Sequence, residues 1–215
     1  MIVASDLNGT LTTGSPILAI ANWAEKYQPS LPPKLFKFSV LFSYLQVRAG
    51  LKEIDVWSDR TMRKVLDLIQ SPDEELVNSI MSYVVESELW PKRRERPVSL
   101  LKEYHNQGAE IILVSAAYEP AVLEFAKKIG DERVTAIGTQ VYLTQGRISL
   151  AETLTTREKK LEKVKNIIGS NTLEIALGDT FADIPLLEQA RQPIAVFPDQ
   201  ELRKTAKNRG WQILE

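Results

Sequence analysis

Ile2-Val3-Ala4-Ser5-Asp6-Leu7-Asn8-Gly9-Thr10-Leu11-Thr12 decides how the rest of this chain is read. The apolar run Ile2, Val3, Ala4 has the length of a short buried strand, and Asp6 stands just beyond it. Gly9 permits a tight turn, and the hydroxyls of Thr10 and Thr12 follow. A carboxylate delivered at a strand's C-terminal end, ahead of a glycine turn, suits a nucleophile that must meet an anionic group and a divalent cation together. Two residues on, where such chemistry wants a second carboxyl group, stands Asn8.

Working outward, apolar runs suited to buried parallel strands recur at 1–5, 111–115, 134–137, 174–177 and 194–197, with helical patterns after most of them. This alternation predicts an α/β fold, a Rossmann-like doubly wound parallel sheet. The helix after Ser115 carries Val122, Leu123, Phe125, Ala126 and Ile129 and is expected to stop at Gly130 as a left-handed cap. The next begins near Arg157, is expected to bury Leu161, Val164, Ile167 and Ile168, and stops at Gly169. Residues 140–150 read as a hairpin turning at Gln145-Gly146. Pro198-Asp199 caps a last helix ending before Gly210, and 211–214 returns as a strand.

Residues 13–92 break the rhythm and read as helical throughout. Ser15-Pro16 starts one helix, Ser71-Pro72-Asp73-Glu74 has the form of a capping box starting another, and 28–33 is a loop-forming cluster. The expectation is a core domain of residues 1–12 and 93–215, with a helical cap domain of residues 13–92 inserted after the first motif, over the sheet's carboxyl edge. Within it, 35–47 is apolar on nearly every face. Such a helix is cap core, the favoured reading, or else a surface for an apolar ligand or self-association.

Composition narrows the chemistry. The chain has 215 residues, and 27 basic against 28 acidic side chains leave a net charge of -1, so no global field favours nucleic acid or an anionic membrane. There is no cysteine and one histidine, His105, which excludes thiolate chemistry and histidine-rich metal sites and leaves magnesium on oxygen ligands. No signal peptide and no apolar run of about 18 residues is seen, so the expected compartment is the cytoplasm, with no transmembrane segment.

In a doubly wound sheet, residues ending different strands converge outside the carboxyl edge. Asp6, Ser115 and Asp179 each end a strand, Asp183 follows Asp179 by one turn, and Lys160 starts the helix before the strand ending in Asp179. Taken singly, Ser115 reads as a strand-end capping serine and Lys160 as a solvated lysine; only the order of the motifs promotes them. Lys92-Arg93-Arg94-Glu95-Arg96 reads as a solvated connector and His105 as a surface residue.

Asp6-Leu7-Asn8-Gly9-Thr10, Ser115, the lysines of 157–161 and Gly178-Asp179-Thr180-Phe181-Ala182-Asp183 together resemble the haloacid dehalogenase superfamily, and the hairpin near Gly146 and the tail 197–211 resemble its phosphoserine-phosphatase-like branch. The resemblance implies a Mg²⁺-dependent phosphatase for a small phosphate ester. Asp6 would be the nucleophile; Asp6, Asp179 and the backbone carbonyl of Asn8 would hold Mg²⁺, with Asp183 in support. Ser115, the amides of Ala116 and Gly9, Thr10 and a lysine would bind phosphate. Lys160 is the lysine chosen, with Lys159 and Arg157 as alternatives. At Asn8 the family usually carries an aspartate that protonates the leaving oxygen and then activates water, and an asparagine does neither. This departure implies an impaired homologue, an engineered substitution or another base, and a weakly active phosphate- and metal-binding protein is the rival reading. Asn8-Gly9 is also prone to deamidation, which would restore an aspartate.

Overall fold

The computed structural model describes residues 1–29, 31–48 and 53–215, with the side chains of 31, 47, 48, 54 and 55 left out of the description. Ser30, within the expected loop cluster 28–33, lies outside the described residues.

Six parallel strands form one sheet in the order β3-β2-β1-β6-β7-β8. They are β1 (Ile2–Ser5), β2 (Glu110–Tyr118), β3 (Val134–Thr139), β6 (Ile175–Gly178), β7 (Gln192–Val196) and β8 (Gln212–Leu214). Their near-continuous apolar sequences follow from burial on both faces. One face, with Val3, Ile111, Leu113, Ile175 and Leu177, packs in a core shared with α5 (Glu95–Asn106), α6 (Glu119–Ala126) and helices from the segment between β1 and β2. The opposite face, with Ala4, Ile112, Val114 and Ala176, is covered by α7 (Arg157–Ile168), α8 (Ile184–Leu187) and α9 (Gln200–Arg209). This is the doubly wound Rossmann-like arrangement. The order reverses at β1, so the loop after Ser5 sits at the switch point, where α/β sheets bind their ligands.

Between β1 and β2 lie α1 (Pro16–Tyr27), α2 (Leu31–Arg48), α3 (Ile54–Leu66), α4 (Glu74–Val84) with a π-helical turn at Val85–Leu89, and then α5. Ser15 caps α1 by accepting from the amide of Leu18 at 3.3 Å, with Pro16 in the first turn. The chain leaves and re-enters at neighbouring points. Thr12 pairs with Arg93, the amide of Thr13 donates to the carbonyl of Lys92 at 3.1 Å, and the Thr12 hydroxyl donates to that of Leu89 at 2.6 Å. The hairpin forms as β4 (Val141–Thr144) and β5 (Arg147–Leu150), with Gln145 and Gly146 both at positive φ, as a two-residue turn of primed type requires.

Several local expectations are overturned. The N-cap of α4 is Asp73, which accepts from the amide of Leu76 at 2.7 Å, rather than Ser71. Pro32 and Pro33 stand in the first turn of α2, where a missing amide hydrogen costs nothing. Gly130 has no positive φ; it is glycine because the His105 ring lies where a Cβ would be, at 2.5 Å. Accordingly His105 is buried and pairs with Asp131 at 2.8 Å instead of facing solvent. Leu123 and Ile167 are exposed, and α7 buries Lys160, Val164 and Ile168. The largest departure is α2. Leu35, Phe38, Leu41, Phe42 and Leu45 are 56–76% exposed, so its apolar surface is not cap core. Two facing layers can bury only one stripe of a helix, and α2 is apolar over more than one stripe. No helix among the described residues is long and apolar enough to cross a membrane.

Candidate active site

The site stands at the carboxyl edge of β1, β2 and β6, the three central strands. Asp6 follows β1 directly, held by its amide donating to the Leu177 carbonyl at 2.9 Å, and is 3% exposed. Asp179 follows β6, and Asp183 closes the short 3-10 turn Phe181–Asp183 behind it. One oxygen from each of the three carboxylates lies within 4.8 Å of the others.

Lys160, in the first turn of α7, reaches into this cluster. Its Nζ donates to Oδ1 of Asp6 and to Oδ1 of Asp183, both at 2.6 Å, and the residue is 4% exposed. Burial alone would push the ammonium's pKa down, but the two adjacent carboxylates outweigh it and raise it. Lys160 is therefore a permanent cation at neutral pH. Lys159 instead turns outward to Glu162, and the Arg157 guanidinium lies over the ring of Phe181 at 4.3 Å.

The three carboxylates together exceed the one lysine by two formal negative charges. The remaining groups register that excess. Burial, and then the repulsion of Asp183, push the Asp6 carboxyl up from its ordinary range, against the opposing pull of Lys160. Burial and the repulsion of Asp6 and Asp183 push Asp179 up to about 8. Asp6 Oδ2 and Asn8 Oδ1 are buried without a hydrogen-bond partner. Unpaired oxygens on the floor of a cavity, among carboxyls whose ionisation burial and mutual repulsion oppose, fit a hard divalent cation with oxygen ligands.

Each expected residue has a definite place. Asp183 has both oxygens engaged: Oδ1 takes Lys160, while Oδ2 accepts from the amides of Asp179 and Thr180 at 3.1 Å. That leaves it the post that fixes Lys160 and the Asp179 loop. Thr10 is fully buried, and its hydroxyl donates to Asp179 Oδ1 at 2.8 Å, so it orients a carboxylate rather than facing the cavity as expected. The Gly9 amide, expected to be free for phosphate, donates to the Thr12 carbonyl at 2.7 Å. Gly9 is required on other grounds: its φ is +95°, and a Cβ there would meet Asp179 Oδ2 at 2.0 Å. Ser115 and Ala116 line the cavity, just past the point where the pairing of β2 with β3 slips after Val114.

Sequence reading missed four contributors. Arg94, from the run read as a solvated connector, donates from Nε to the Gly9 carbonyl at 2.7 Å and stacks over Phe197 at 3.9 Å, clamping the loop after β1. Tyr118, whose buried hydroxyl donates to the Met62 carbonyl at 2.9 Å, ties β2 to α3. Trp57 and Met62 wall the cavity from α3. Nothing local in the sequence marks these four, because each acts on a residue 50 or more positions away or across a separate element. The cavity lined by Asp6, Trp57, Met62, Ser115, Tyr118 and Lys160 has a volume of about 520 Å³.

Comparison with known proteins agrees with this geometry. The protein from Streptomyces azureus called "inhibition of morphological differentiation protein" is 27% identical over 143 residues, covering 65% of this chain and 52% of that one. The chain spans about half the length of the curated relatives it matches. Among solved structures, a Bordetella pertussis protein of unknown function superposes with a TM-score of 0.78 at 19% identity, covering 100% of this chain and 97% of that one. A substrate-bound phosphoserine phosphatase superposes with a TM-score of 0.63 at 20% identity, covering 100% and 92%. These two structures share the fold. The family model for haloacid dehalogenase-like hydrolases matches residues 3–188, a stretch running from β1 through the Asp179 loop to α8, and the chain belongs to that family.

Proposed function

We propose that the protein is a Mg²⁺-dependent phosphomonoesterase that works through an aspartyl-phosphate on Asp6. The observation carrying this reading is the buried Asp6–Lys160–Asp183 chain with its surplus of carboxyls over lysine and the unpartnered Asp6 Oδ2. Asp6, Asp179 and the Asn8 carbonyl would hold Mg²⁺, which screens the approach of phosphate to carboxylate. Asp6 attacks phosphorus and the bond to the ester oxygen breaks, the alcohol leaving with a proton taken from solvent; water then hydrolyses the acyl phosphate to inorganic phosphate and the free Asp6 carboxylate. Lys160 neutralises charge between Asp6 and the phosphate, and its raised pKa disqualifies it as a base. Ser115 and Ala116 receive phosphate oxygens. Residues 13–92 act as a cap over the core of 1–12 and 93–215.

Asn8 supports a second reading, a phosphate- and metal-binding homologue with slow turnover. Its carboxamide neither gives the leaving oxygen a proton nor takes one from water, and general acid-base help is worth roughly 10²- to 10⁴-fold. The test is p-nitrophenyl phosphate hydrolysis with Mg²⁺ by the protein and by Asn8→Asp, once mass spectrometry has confirmed residue 8 in each. The enzyme reading expects multiple turnovers from Asn8→Asp, faster than the parent by that factor. Phosphate binding with no turnover by either form would select the binding protein.

A further inference from the structure

The floor and the walls of the active-site cavity differ in character. Among the described residues, every charged group that lines it, Asp6, Lys160, Asp179 and Asp183, comes from the sheet edge or from α7. Among the described residues, the segment 13–92 contributes Ile17, Trp57 and Met62, with Gly14, Pro16 and the hydroxyls of Thr13, Ser15 and Ser58, and no charged side chain. The Ser15 hydroxyl is already engaged in capping α1. A leaving group bearing its own charges would be desolvated against these walls without a partner.

A second cleft adjoins the cavity. Ser15, Ile17 and Trp57 line both the cavity and this cleft of about 310 Å³ between α1, α2 and α3, whose further walls are Leu18, Val40, Leu41 and Tyr44. The one charged group there, Lys37, is paired with Glu25 and donates to Asn22 at 3.1 Å. Trp57 stands at the junction. Its Nε1, the only polar atom of the side chain, donates to the Ser43 hydroxyl at 2.8 Å, and its ring rests against Tyr44 at a centroid distance of 5.5 Å. With Nε1 so engaged, the rest of the indole is ring carbon. Beyond the cleft the exposed Phe38, Phe42 and Leu45 of α2 prolong the apolar surface.

We propose that the substrate is a phosphate monoester of an apolar alcohol, its phosphate on the carboxylate floor and its chain or ring passing between Ile17 and Trp57 into the cleft walled by Leu18, Val40, Leu41 and Tyr44. This rests on the phosphatase reading above and specifies its leaving group. The occupant follows from adjacency: Ser15, Ile17 and Trp57 line both the phosphate site and the cleft, and among the described residues that line the cleft the Tyr44 hydroxyl is the one polar side-chain group without a partner. Among the described residues, the same walls give a zwitterionic amino-acid leaving group no unpaired charged partner.

The test is equilibrium binding by titration calorimetry, with Mg²⁺ present, of ethyl phosphate, octyl phosphate below its micelle threshold, O-phosphoserine and inorganic phosphate. A fully buried methylene is worth about fourfold in affinity, so half burial of the six extra methylenes predicts octyl phosphate binding about 60-fold more tightly than ethyl phosphate. Inorganic phosphate should displace it. The surface substitutions Leu18→Gln and Leu41→Gln together should bring the octyl-to-ethyl ratio to within about threefold, the remainder being the contribution of the unchanged walls. Mg²⁺-dependent phosphate binding with equal affinity for all esters, or with phosphoserine preferred, would overturn the proposal and leave the phosphatase reading standing. Octyl phosphate that phosphate does not displace would have adsorbed to α2, which also overturns it. Absence of any Mg²⁺-dependent phosphate binding would remove the phosphatase reading and the proposal together.

Discussion

The carboxyl edge of the sheet and the helical layer above it enclose one cavity, yet they are built on opposite principles. At the edge, Asp6, Lys160 and Asp183 are almost fully enclosed and Asp179 is half-buried, all held by hydrogen bonds between distant parts of the chain. In the helical layer the lining residues are apolar or neutral, and α2 leaves five large apolar side chains in solvent. The first arrangement tolerates almost no change, because a buried charge without its partner costs several kcal/mol. The second tolerates a great deal, because half-exposed apolar contacts are individually weak. Under the proposed function, the chemistry falls to the strand ends and the choice of substrate to the helices.

The sharpest way to break this contrast is at Lys160. Lys160→Met removes the one cation among three carboxylates, and loss of one partner from a buried ionic group is expected to cost about 3–5 kcal/mol. Denaturant unfolding at neutral pH measures it. A loss below about 1 kcal/mol, the level of a surface ion pair, would mean the edge is not the enclosed charge cluster described here. A smaller effect is expected from the metal. Mg²⁺ at about 100 times its dissociation constant should stabilise the fold by about 2.7 kcal/mol, seen as a rise in melting temperature that Asp179→Asn abolishes. An equal rise in that variant would place the cation elsewhere. The smallest effect belongs to the helical layer. Phe38→Ser, at a side chain 76% exposed, should shift unfolding free energy by no more than about 0.5 kcal/mol. A loss several times larger would show that α2 is covered in solution, by a second copy or by the rest of a longer chain.

A pH experiment separates a third kind of site from both. The side chains of Arg133 and His105 beside Asp131 hold its carboxyl well below the ordinary carboxylate range. A carboxyl depressed in the folded state stabilises the fold above its unfolded pKa of about 4, and that contribution is lost as pH falls below it. Asp131→Asn should therefore unfold more readily than the parent at pH 7, with the gap closing toward pH 3 in denaturant titrations. A gap independent of pH would assign Asp131 a purely structural hydrogen bond.

The sequence by itself determined the elements whose cause is local. Buried parallel strands need apolar runs, so β1, β2, β3, β6 and β7 were legible, as were the hairpin at Gln145-Gly146 and the caps at Ser15, Asp199, Gly169 and Gly210. The order of Asp6, Ser115, Lys160, Asp179 and Asp183 along such strands also sufficed to bring them to one edge, since a doubly wound sheet offers a single switch point. Only the tertiary structure decided what each group faces. Thr10 and the Gly9 amide carry the right chemistry for phosphate but spend it on Asp179 and Thr12; Arg94 looks like solvent-facing charge and clamps the loop after β1. The exposure of α2 was equally illegible. Periodicity tells which residues share a helix face, but a helix apolar on several faces does not say which face its neighbours will cover, and that depends on packing between segments far apart in the chain.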